Sequence, residues 1–434
     1  MNAPAPVGRS GRRFGRARSP LSKIVAYSIS MALLAVASLI AIPSMVHASG
    51  AAAWGAIAAG QSIGGVAAVV IAFGWGLSGP AMIARADPVE RLTEYSESVL
   101  CKLLLTVPVG AVAFAIAFVV GRDFALFAGV GALSMASVGL TANWYFVGRS
   151  QPYLLLLMET VPRVLGTCVG IVLMNSGSSA LAGVTWQLIG MQMAFVASSL
   201  WILKPWRAHL LAAVHRRPVL RVLAAQRNGV TSTVVGSLYS STPIVIVSLV
   251  APAALPVYAV VDKVQRQVIV ASTPFITVLQ GWVPRAVGHG LDRRVRQSMF
   301  AATVASVAVS ALMFAVAPEL INWLGGGQVH PSVVVLALMA VITGVSLVES
   351  VSSRACLAAL SRLDVVARAT AISSFIGLPL VAVGAKFFGA QGALLGILVG
   401  LLVRVALELV GMRKAMTRPE SARQLSAVVI EPEH

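Results

Sequence analysis

The sequence predicts an all-α polytopic membrane protein with about twelve transmembrane helices, arranged in two six-helix lobes around a central cavity with both termini cytoplasmic. Three observations lead to this prediction: an apolar composition, apolar runs of bilayer length, and cations confined to alternate loops. Of the 434 residues, 58% are hydrophobic and only 11% are charged, whereas soluble proteins carry about 25% charged residues. So little ionic surface cannot cover soluble domains of this length, and most of the surface is expected to face lipid.

Apolar runs long enough to cross a bilayer follow one another along the chain. A hydrocarbon core about 30 Å thick needs roughly 20 apolar residues per helix, and runs of this kind are bounded by charged residues, Gly or Pro. We place the spans at residues 24–45, 51–75, 98–120, 124–147, 152–174, 180–203, 228–250, 255–280, 299–323, 331–352, 364–386 and 390–411. The seventh and eighth spans are divided only by the short interruption at residues 251–254.

The distribution of Lys and Arg orients these spans. Loops rich in Lys and Arg stay in the cytoplasm. With both termini inside, 27 of the 33 Lys and Arg residues lie on the cytoplasmic side, four lie within spans, and only Arg122 and Lys386 lie outside. One missed or extra helix would reverse this partition in every later loop, so we expect an even number of spans near twelve.

The longest cytoplasmic connector divides the spans six and six. The two halves also begin alike, with a span, a very short outer turn, a second span rich in small and polar residues, and a basic loop, which is typical of two-lobed transporters built from repeats. We therefore predict a basic disordered cytoplasmic tail at 1–21, an N-terminal lobe at 22–203, a basic cytoplasmic linker at 204–227, a C-terminal lobe at 228–411 and a cytoplasmic tail at 412–434.

Charged residues within the spans mark the candidate site. Each such charge costs on the order of 3 kcal/mol at mid-bilayer and must face a partner or water. They occur as oppositely charged residues four positions apart, which places both members of a pair on one face of a helix. The pairs are Glu159 with Arg163, Asp262 with Arg266, and Arg404 with Glu408.

Span 8 is the most polar of these helices. Lys263 adds a second cation to the Asp262 and Arg266 pair, and Gln265 makes the stretch too polar to face lipid. We therefore expect span 8 to line a hydrated cavity, where one acid against two bases leaves a positive charge that suits an anionic cargo. The alternative is that all three pairs are structural bridges within the helical bundle.

Further polar residues are secondary candidates. Glu349, near the inner end of span 10, is a candidate for proton coupling, and Gln61, Gln265 and Arg404 are candidates for the cavity wall.

Signatures of catalysis and cofactor binding are missing from the sequence. No phosphate-binding GxxxxGK[ST] loop occurs, the six histidines and three cysteines lack metal-ligand spacing, and every predicted outer loop is short. The GxGxxG and GxSxG matches at 74–79 and 60–64 lie in span 2, without the strand-turn-helix setting of a nucleotide site or nucleophile elbow. We expect no enzyme activity, no cofactor, no metal site and no nucleic-acid partner.

Four stretches carry a family resemblance. They are the aromatic-Gly opening and Gly-Leu end of span 2 (53–77), NWYFVGR at the end of span 4 (143–149), VYAVVDK at the start of span 8 (257–263) and KFFGAQGA before span 12 (386–393). In these stretches the chain resembles the polysaccharide transporter family, the O-antigen and capsular repeat-unit flippases of the multidrug/oligosaccharidyl-lipid/polysaccharide exporter superfamily.

The resemblance implies a flippase that moves a polyprenyl-diphosphate-linked oligosaccharide across the bacterial plasma (inner) membrane by alternating access, for cell-surface polysaccharide synthesis. It implies membrane lipid, and a polysaccharide polymerase with its export machinery, as partners. Arg163, Lys263 and Arg266 would bind the diphosphate, while Asp262, Glu159 and Glu349 would support these cations or couple transport to an ion.

Two other functions stay open from the sequence. One is a small-molecule or drug antiporter of the same superfamily, which would favour a net acidic cavity. The other is a membrane-embedded glycan-assembly enzyme or scaffold, which would carry a substantial outer loop or dispensable span charges.

Overall fold

The computed structural model describes residues 20–204, 240–286 and 288–417, together with residues 234, 237 and 238. The linker predicted at 204–227, the beginning of the seventh predicted span and most of both predicted tails therefore lie outside the described residues. Within the described ranges the regular elements are helices, and no strand is present.

The α-helices of this part of the chain follow the predicted spans closely. They are α1 (Pro20–Ala72), α2 (Trp75–Arg85), α3 (Pro88–Gly121), α4 (Ala125–Ala136), α5 (Asn143–Gly148), α6 (Pro152–Leu155), α7 (Val161–Asn175), α8 (Ala180–Leu203), α9 (Ser240–Val250), α10 (Leu255–Ala271), α11 (Thr273–Trp282), α12 (His289–Leu324), α13 (Val333–Val351) and α14 (Leu363–Met416). Two π-helical turns, at Leu156–Thr160 and Ser352–Leu357, precede α7 and follow α13.

Helices α1 and α14 each contain two membrane spans. They have 53 and 54 residues, and at 1.5 Å per residue each would extend to roughly 80 Å if straight, far beyond a bilayer. Each turns at a glycine with a positive φ, 85° at Gly50 and 57° at Gly389. Across the second turn, Gly384 and Gly392 approach so closely that neither has room for a Cβ atom, so the two arms of α14 pack side by side.

The membrane-spanning character of the fold is confirmed by length and composition. Seven helical stretches of the described chain are long and apolar enough to cross a membrane. Three of them, including the 61-residue stretch Pro88–Gly148 that contains α3, α4 and α5, are long enough for two crossings, and α9 and α10 occupy the remaining predicted spans. The predicted all-α polytopic fold is therefore confirmed.

The two halves of the molecule repeat their local breaks. In the first half (α1 to α8) the second span breaks at Phe73 and Gly74, and in the second half (α9 to α14) the corresponding break lies at Ser272, between α10 and α11. Spans 4 and 10 are both followed by a serine in the left-handed region, Ser150 at φ 52° and Ser361 at φ 56°. These matching positions are what an internal repeat predicts.

The halves meet at the end of the bundle that carries Gly50 and Gly389, which we call the turn end. There the Arg122 guanidinium donates a hydrogen bond to the Leu249 carbonyl at 3.0 Å, and the Ala51 backbone N–H donates to the Gln328 side chain at 3.2 Å. The opposite end carries the basic loops, and we call it the basic end.

Candidate binding cavity

A cavity of about 310 Å³ lies between the two halves, and we call it the central cavity. Its volume lies at the lower end of the range for small-ligand pockets. Helices α1, α4, α7 and α8 of the first half form most of its wall, and α10 of the second half closes it with Lys263, Gln267 and Val270.

Two cations from opposite halves line the central cavity. They are Arg163 of α7 and Lys263 of α10. Neither forms an ion pair or hydrogen bond with any residue that the structure describes, and no Asp or Glu is among the described residues of the wall. The described wall of the central cavity therefore presents two cations without a direct ion pair and no carboxylate, and the acids that attract them, Glu159 for Arg163 and Asp262 for Lys263, lie outside that wall.

Neutral polar groups complete the wall. The Gln61 amide donates a hydrogen bond to the Gln187 side chain at 3.3 Å, and both residues line the cavity, as Gln61 was predicted to do. Thr167 and Gln267 stand one helical turn after Arg163 and Lys263 on the same helix faces. The sequence analysis did not select Gln187 or Thr167, although Thr167 could have been found from its spacing four residues after Arg163.

A second cavity of about 360 Å³ adjoins the first within the first half, and we call it the side cavity. Its polar wall includes Tyr27, Asn143, Glu159 and Thr160. Arg163 lines both cavities, as do Met31 and Leu34, so the two cavities share part of their walls.

Glu159 does not form the direct ion pair with Arg163 that the four-residue spacing predicts. Glu159 is only 2% exposed, and its Oε1 accepts hydrogen bonds from the Ala142 N–H at 2.7 Å and the Ser198 hydroxyl at 2.9 Å, while Oε2 has no partner. Glu159 belongs to the π-helical turn Leu156–Thr160. Because a π-helical turn is wider than an α-helical one, residues four apart no longer lie on one face of the helix. This explains why Glu159 and Arg163 are not paired directly.

Lys102 is a buried cation that was not selected as a site residue from the sequence. It is only 2% exposed, its Nζ donates to the Thr141 carbonyl at 3.0 Å, and it lies 5.6 Å from the Trp144 ring centre. Lys102 and Arg163 both exert an electrostatic attraction on Glu159. Lys102 lies in α3, inside the predicted span 98–120.

The pair predicted on span 8, Asp262 with Arg266, forms, and the Arg266 guanidinium is engaged by it. The Arg266 Nε lies 2.7 Å from the Asp262 carboxylate, and another guanidinium nitrogen donates to the Ser240 carbonyl at 2.7 Å. Arg266 and Asp262 are not on the described wall of the central cavity. Gln265 also points elsewhere, because its amide donates to the Met339 carbonyl of α13 at 3.0 Å.

The predicted pair of Arg404 and Glu408 is part of a group of three charges. Arg404 pairs with Glu408 at 3.2 Å and also with Glu349 of α13, a contact that the sequence analysis did not foresee because it joins two separate helices. Glu408 has no exposed side-chain surface. The group contains two carboxylates and one guanidinium, so its net charge is −1 when all three are ionised. None of the three residues is on the described wall of the central cavity.

A third cavity, of about 330 Å³, is almost entirely apolar and lies between α1, α3 and α9. Its wall includes Val66, Val112 and Val245. Across the described ranges, no three His, Cys, Asp or Glu side chains lie together as a metal site would require.

Comparisons with known proteins identify the fold. No family model matches the chain, and no curated protein matches it. The structure is similar to a multidrug resistance MATE family transporter of the MOP superfamily in an inward-facing conformation, with a TM-score of 0.67 and 16% identity, covering 93% of this chain and 99% of that one. It is also similar to a MATE in the bent conformation, with a TM-score of 0.52 and 15% identity over 94% of this chain and 97% of that one. A MATE in complex with MaL6 has the same TM-score and identity, over 93% of this chain and 97% of that one.

Proposed function

We propose that this chain, which has the fold of MATE transporters, carries an anionic amphiphile across the bacterial inner membrane by alternating access. The proposed cargo is a polyprenyl-diphosphate-linked oligosaccharide destined for cell-surface polysaccharide. One observation carries the proposal: Arg163 and Lys263, from opposite halves, line one cavity without an ion-pair partner among the described residues.

The electrostatics of the central cavity favour an anionic head group. Two cations at membrane depth are costly unless a counter-charge accompanies them. Guanidinium groups bind phosphate oxygens through paired hydrogen bonds, and an ammonium group adds a point charge. A diphosphate has two anionic groups in series, so one can contact Arg163 while the other contacts Lys263. Arg266, which the sequence analysis assigned to the same task, is already occupied by Asp262.

The position of the two cations suits alternating access. A ligand that bridges Arg163 and Lys263 contacts both halves, so its binding energy changes when the halves move relative to each other. A ligand shifts a conformational equilibrium only through such a difference in affinity. Contacts at the turn end, including Arg122 with Leu249, hold the halves together there, and we propose that the basic end faces the cytoplasm and admits the cargo.

The charge group of Glu349, Arg404 and Glu408 is the proposed coupling element. Its second carboxylate is not balanced by another cation of the described chain, so it can bind a proton or Na⁺ at small additional cost. Polysaccharide polymerase and export machinery would remove the cargo on the far side of the membrane and so give transport its direction.

A drug antiporter is the second candidate function. One solved structure with this fold is described as a multidrug resistance transporter, and the unpartnered Glu159 Oε2 in the side cavity is a group that an organic cation could contact. The two cations beside Glu159, Arg163 and Lys102, would repel such a ligand. The charges on the described wall of the central cavity therefore favour an anionic head group, and those beside Glu159 disfavour an organic cation in the side cavity.

The test is export in the native host. The double variant Arg163→Gln/Lys263→Gln should cause lipid-linked oligosaccharide to accumulate in the inner leaflet, with surface polysaccharide reduced at least tenfold, because each lost charge-assisted contact is worth about 1.5–3 kcal/mol. The matched control Arg266→Gln removes a cation from the same helix as Lys263, outside the cavity wall, and should retain most export. Normal export by the double variant, or drug sensitivity without a change in surface glycan, would contradict the proposal.

A further inference from the structure

We infer that the side cavity is a carbohydrate subsite that holds the first sugar of the cargo while its diphosphate occupies the central cavity. This inference rests on the proposed function and extends it to the part of the ligand that specifies the glycan. The geometric basis is Arg163, which lines both cavities. Because the first sugar is bonded directly to the diphosphate, a head group held at Arg163 places that sugar in the adjoining space.

The charge of the side cavity suits a neutral ligand. Its described wall carries one carboxylate, Glu159, and one guanidinium, Arg163, whereas the central cavity carries two cations and no acid on its described wall. Lys102, buried behind the wall, adds further positive potential at Glu159. An organic cation would be repelled by Arg163 and Lys102, and a second phosphate would be repelled by Glu159.

The polar atoms of the side cavity match a polyhydroxyl compound. Glu159 Oε2 is a buried acceptor without a partner, and Arg163 Nε is a donor without one. The Asn143 amide offers both a donor and acceptor, and it has no hydrogen bond with the described residues; its side chain is exposed to the cavity. A hydroxyl group donates one hydrogen bond and accepts others, so neighbouring sugar hydroxyls can satisfy all three side chains. Buried groups left unsatisfied are costly, which gives a sugar an advantage over an apolar ligand.

The surrounding structure holds these groups in place. The Glu159 carboxylate is held through Oε1 by the Ala142 N–H and the Ser198 hydroxyl, and its Oε2 stays buried without a partner. Tyr27 also lines the side cavity, and its hydroxyl donates to the Phe146 carbonyl at 3.4 Å. Its ring, together with Leu34 and other apolar side chains, supplies a surface for the C–H face of a sugar. The volume of about 360 Å³ is of the size found for pockets that hold one small ligand.

The experiment compares two lipids on the full-length protein in nanodiscs. One is polyprenyl diphosphate, and the other is the same lipid bearing the single first sugar of the host glycan. Wild-type protein should bind the glycosylated lipid roughly tenfold or more tightly, which is the effect of one hydrogen bond to a charged group. Asn143→Leu should reduce that gain by about two- to tenfold, the effect of one neutral hydrogen bond, and leave the affinity for bare polyprenyl diphosphate unchanged.

A second variant separates recognition from folding. Glu159→Gln keeps the shape of the side chain and its Oε1 contacts but replaces the unpartnered acceptor with a donor. This variant should bind the glycosylated lipid with less advantage over the bare lipid than wild-type protein does. Its affinity for bare polyprenyl diphosphate should not fall, because a negative charge beside Arg163 has been removed. Gln265→Leu is the matched control, since it removes a half-buried polar group outside both cavities and should change the affinity for neither lipid.

The outcomes distinguish this inference from the proposed function. Wild-type protein that binds both lipids equally overturns the sugar subsite and leaves the diphosphate site intact. If Asn143→Leu and Glu159→Gln lower the affinity for both lipids equally, these residues have a structural role and the sugar subsite is overturned. Wild-type protein that binds neither lipid overturns the proposed function and the sugar subsite together.

Discussion

Among the single residues discussed, replacement of Arg404 should lower the free energy of unfolding most. It neutralises Glu408 of its own helix and Glu349 of α13, both at membrane depth. Removing the cation leaves two carboxylates close together with little water to solvate them, and breaking a buried ion pair from one side typically costs 3–5 kcal/mol. We therefore expect Arg404→Gln to lower the free energy of unfolding by about 3 kcal/mol.

This effect is measured by unfolding the protein in detergent with heat or denaturant. The double variant Glu349→Gln/Arg404→Gln should recover part of the loss, because only one carboxylate then remains. Arg362→Gln is the matched control, since the Arg362 and Asp364 pair is largely solvated and should contribute less than about 1 kcal/mol. An Arg404→Gln variant as stable as Arg362→Gln would show that the group of three charges does not support the fold.

Sequence spacing predicted some of these residue contacts and missed others for a physical reason. Asp262 with Arg266 follows from an ordinary α-helical turn, and the structure has that pair. Glu159 with Arg163 fails because a π-helical turn intervenes, and such a turn has no distinctive composition. Glu349 with Arg404 joins two helices, so only the packing of α13 against α14 reveals it.

Among the helices, the packing of α1 against α4 depends on glycine. A Cβ atom at Gly64 would overlap the backbone of Ala132, and one at Gly60 would overlap the backbone of Ala128. Small residues permit this close approach, which replaces the hydrophobic driving force that lipid does not supply. We expect Gly64→Ala to lower the free energy of unfolding by about 1–3 kcal/mol, the usual cost of overpacking.

The neighbouring glycine provides the control. At Gly65 the nearest atom to a new Cβ would be the Met135 side chain at 4.0 Å, so Gly65→Ala adds the same methyl group to the same helix without a clash. Its higher helix propensity should make it neutral or slightly stabilising, by up to about 1 kcal/mol. Thermal unfolding of the two variants in one detergent tests the difference, and equal stabilities would mean that α1 and α4 can separate at no cost.

The number and limits of the spans were predictable because the bilayer imposes one length on every helix. Gly50 and Gly389 lie between predicted spans, and the structure turns at both. The breaks at Phe73 and Ser272 were not predicted. Both breaks lie inside predicted spans, 51–75 and 255–280, rather than between two spans, where a change from apolar to charged sequence would mark them.

For the whole molecule, the account requires the turn end to open during transport. Ala51 and Gln328 belong to opposite halves and are joined by a hydrogen bond of 3.2 Å. In a chain whose three native cysteines are replaced, a bifunctional thiol reagent should link Ala51→Cys to Gln328→Cys and stop export, because the halves can then no longer separate there. Reduction of a cleavable linker should restore export.

The control for this cross-link lies at the same end but within one half. Ser332 and Gln391 are joined by a hydrogen bond of 2.7 Å between their side chains, and both belong to the second half. A linked Ser332→Cys and Gln391→Cys pair should leave export intact. Full export with Ala51 and Gln328 linked would show that transport proceeds without opening at the turn end.

The sequence predicted two lobes around a central cavity, and the family resemblance implied that Arg163, Lys263 and Arg266 bind one diphosphate there. Which of these cations line the cavity depends on how α7 and α10 face each other. Lone charges in separate spans carry no information on that arrangement, which arises from packing between the halves.

The most direct measurement is the affinity of the purified protein for polyprenyl diphosphate and for a lipophilic cation of similar size, at several salt concentrations. Wild-type protein should prefer the diphosphate lipid, and Arg163→Gln/Lys263→Gln should weaken that binding roughly 100-fold, the sum of two charge-assisted contacts, with no loss for the cation. Tighter binding of the cation by wild-type protein, or unchanged diphosphate affinity in the double variant, would contradict the account.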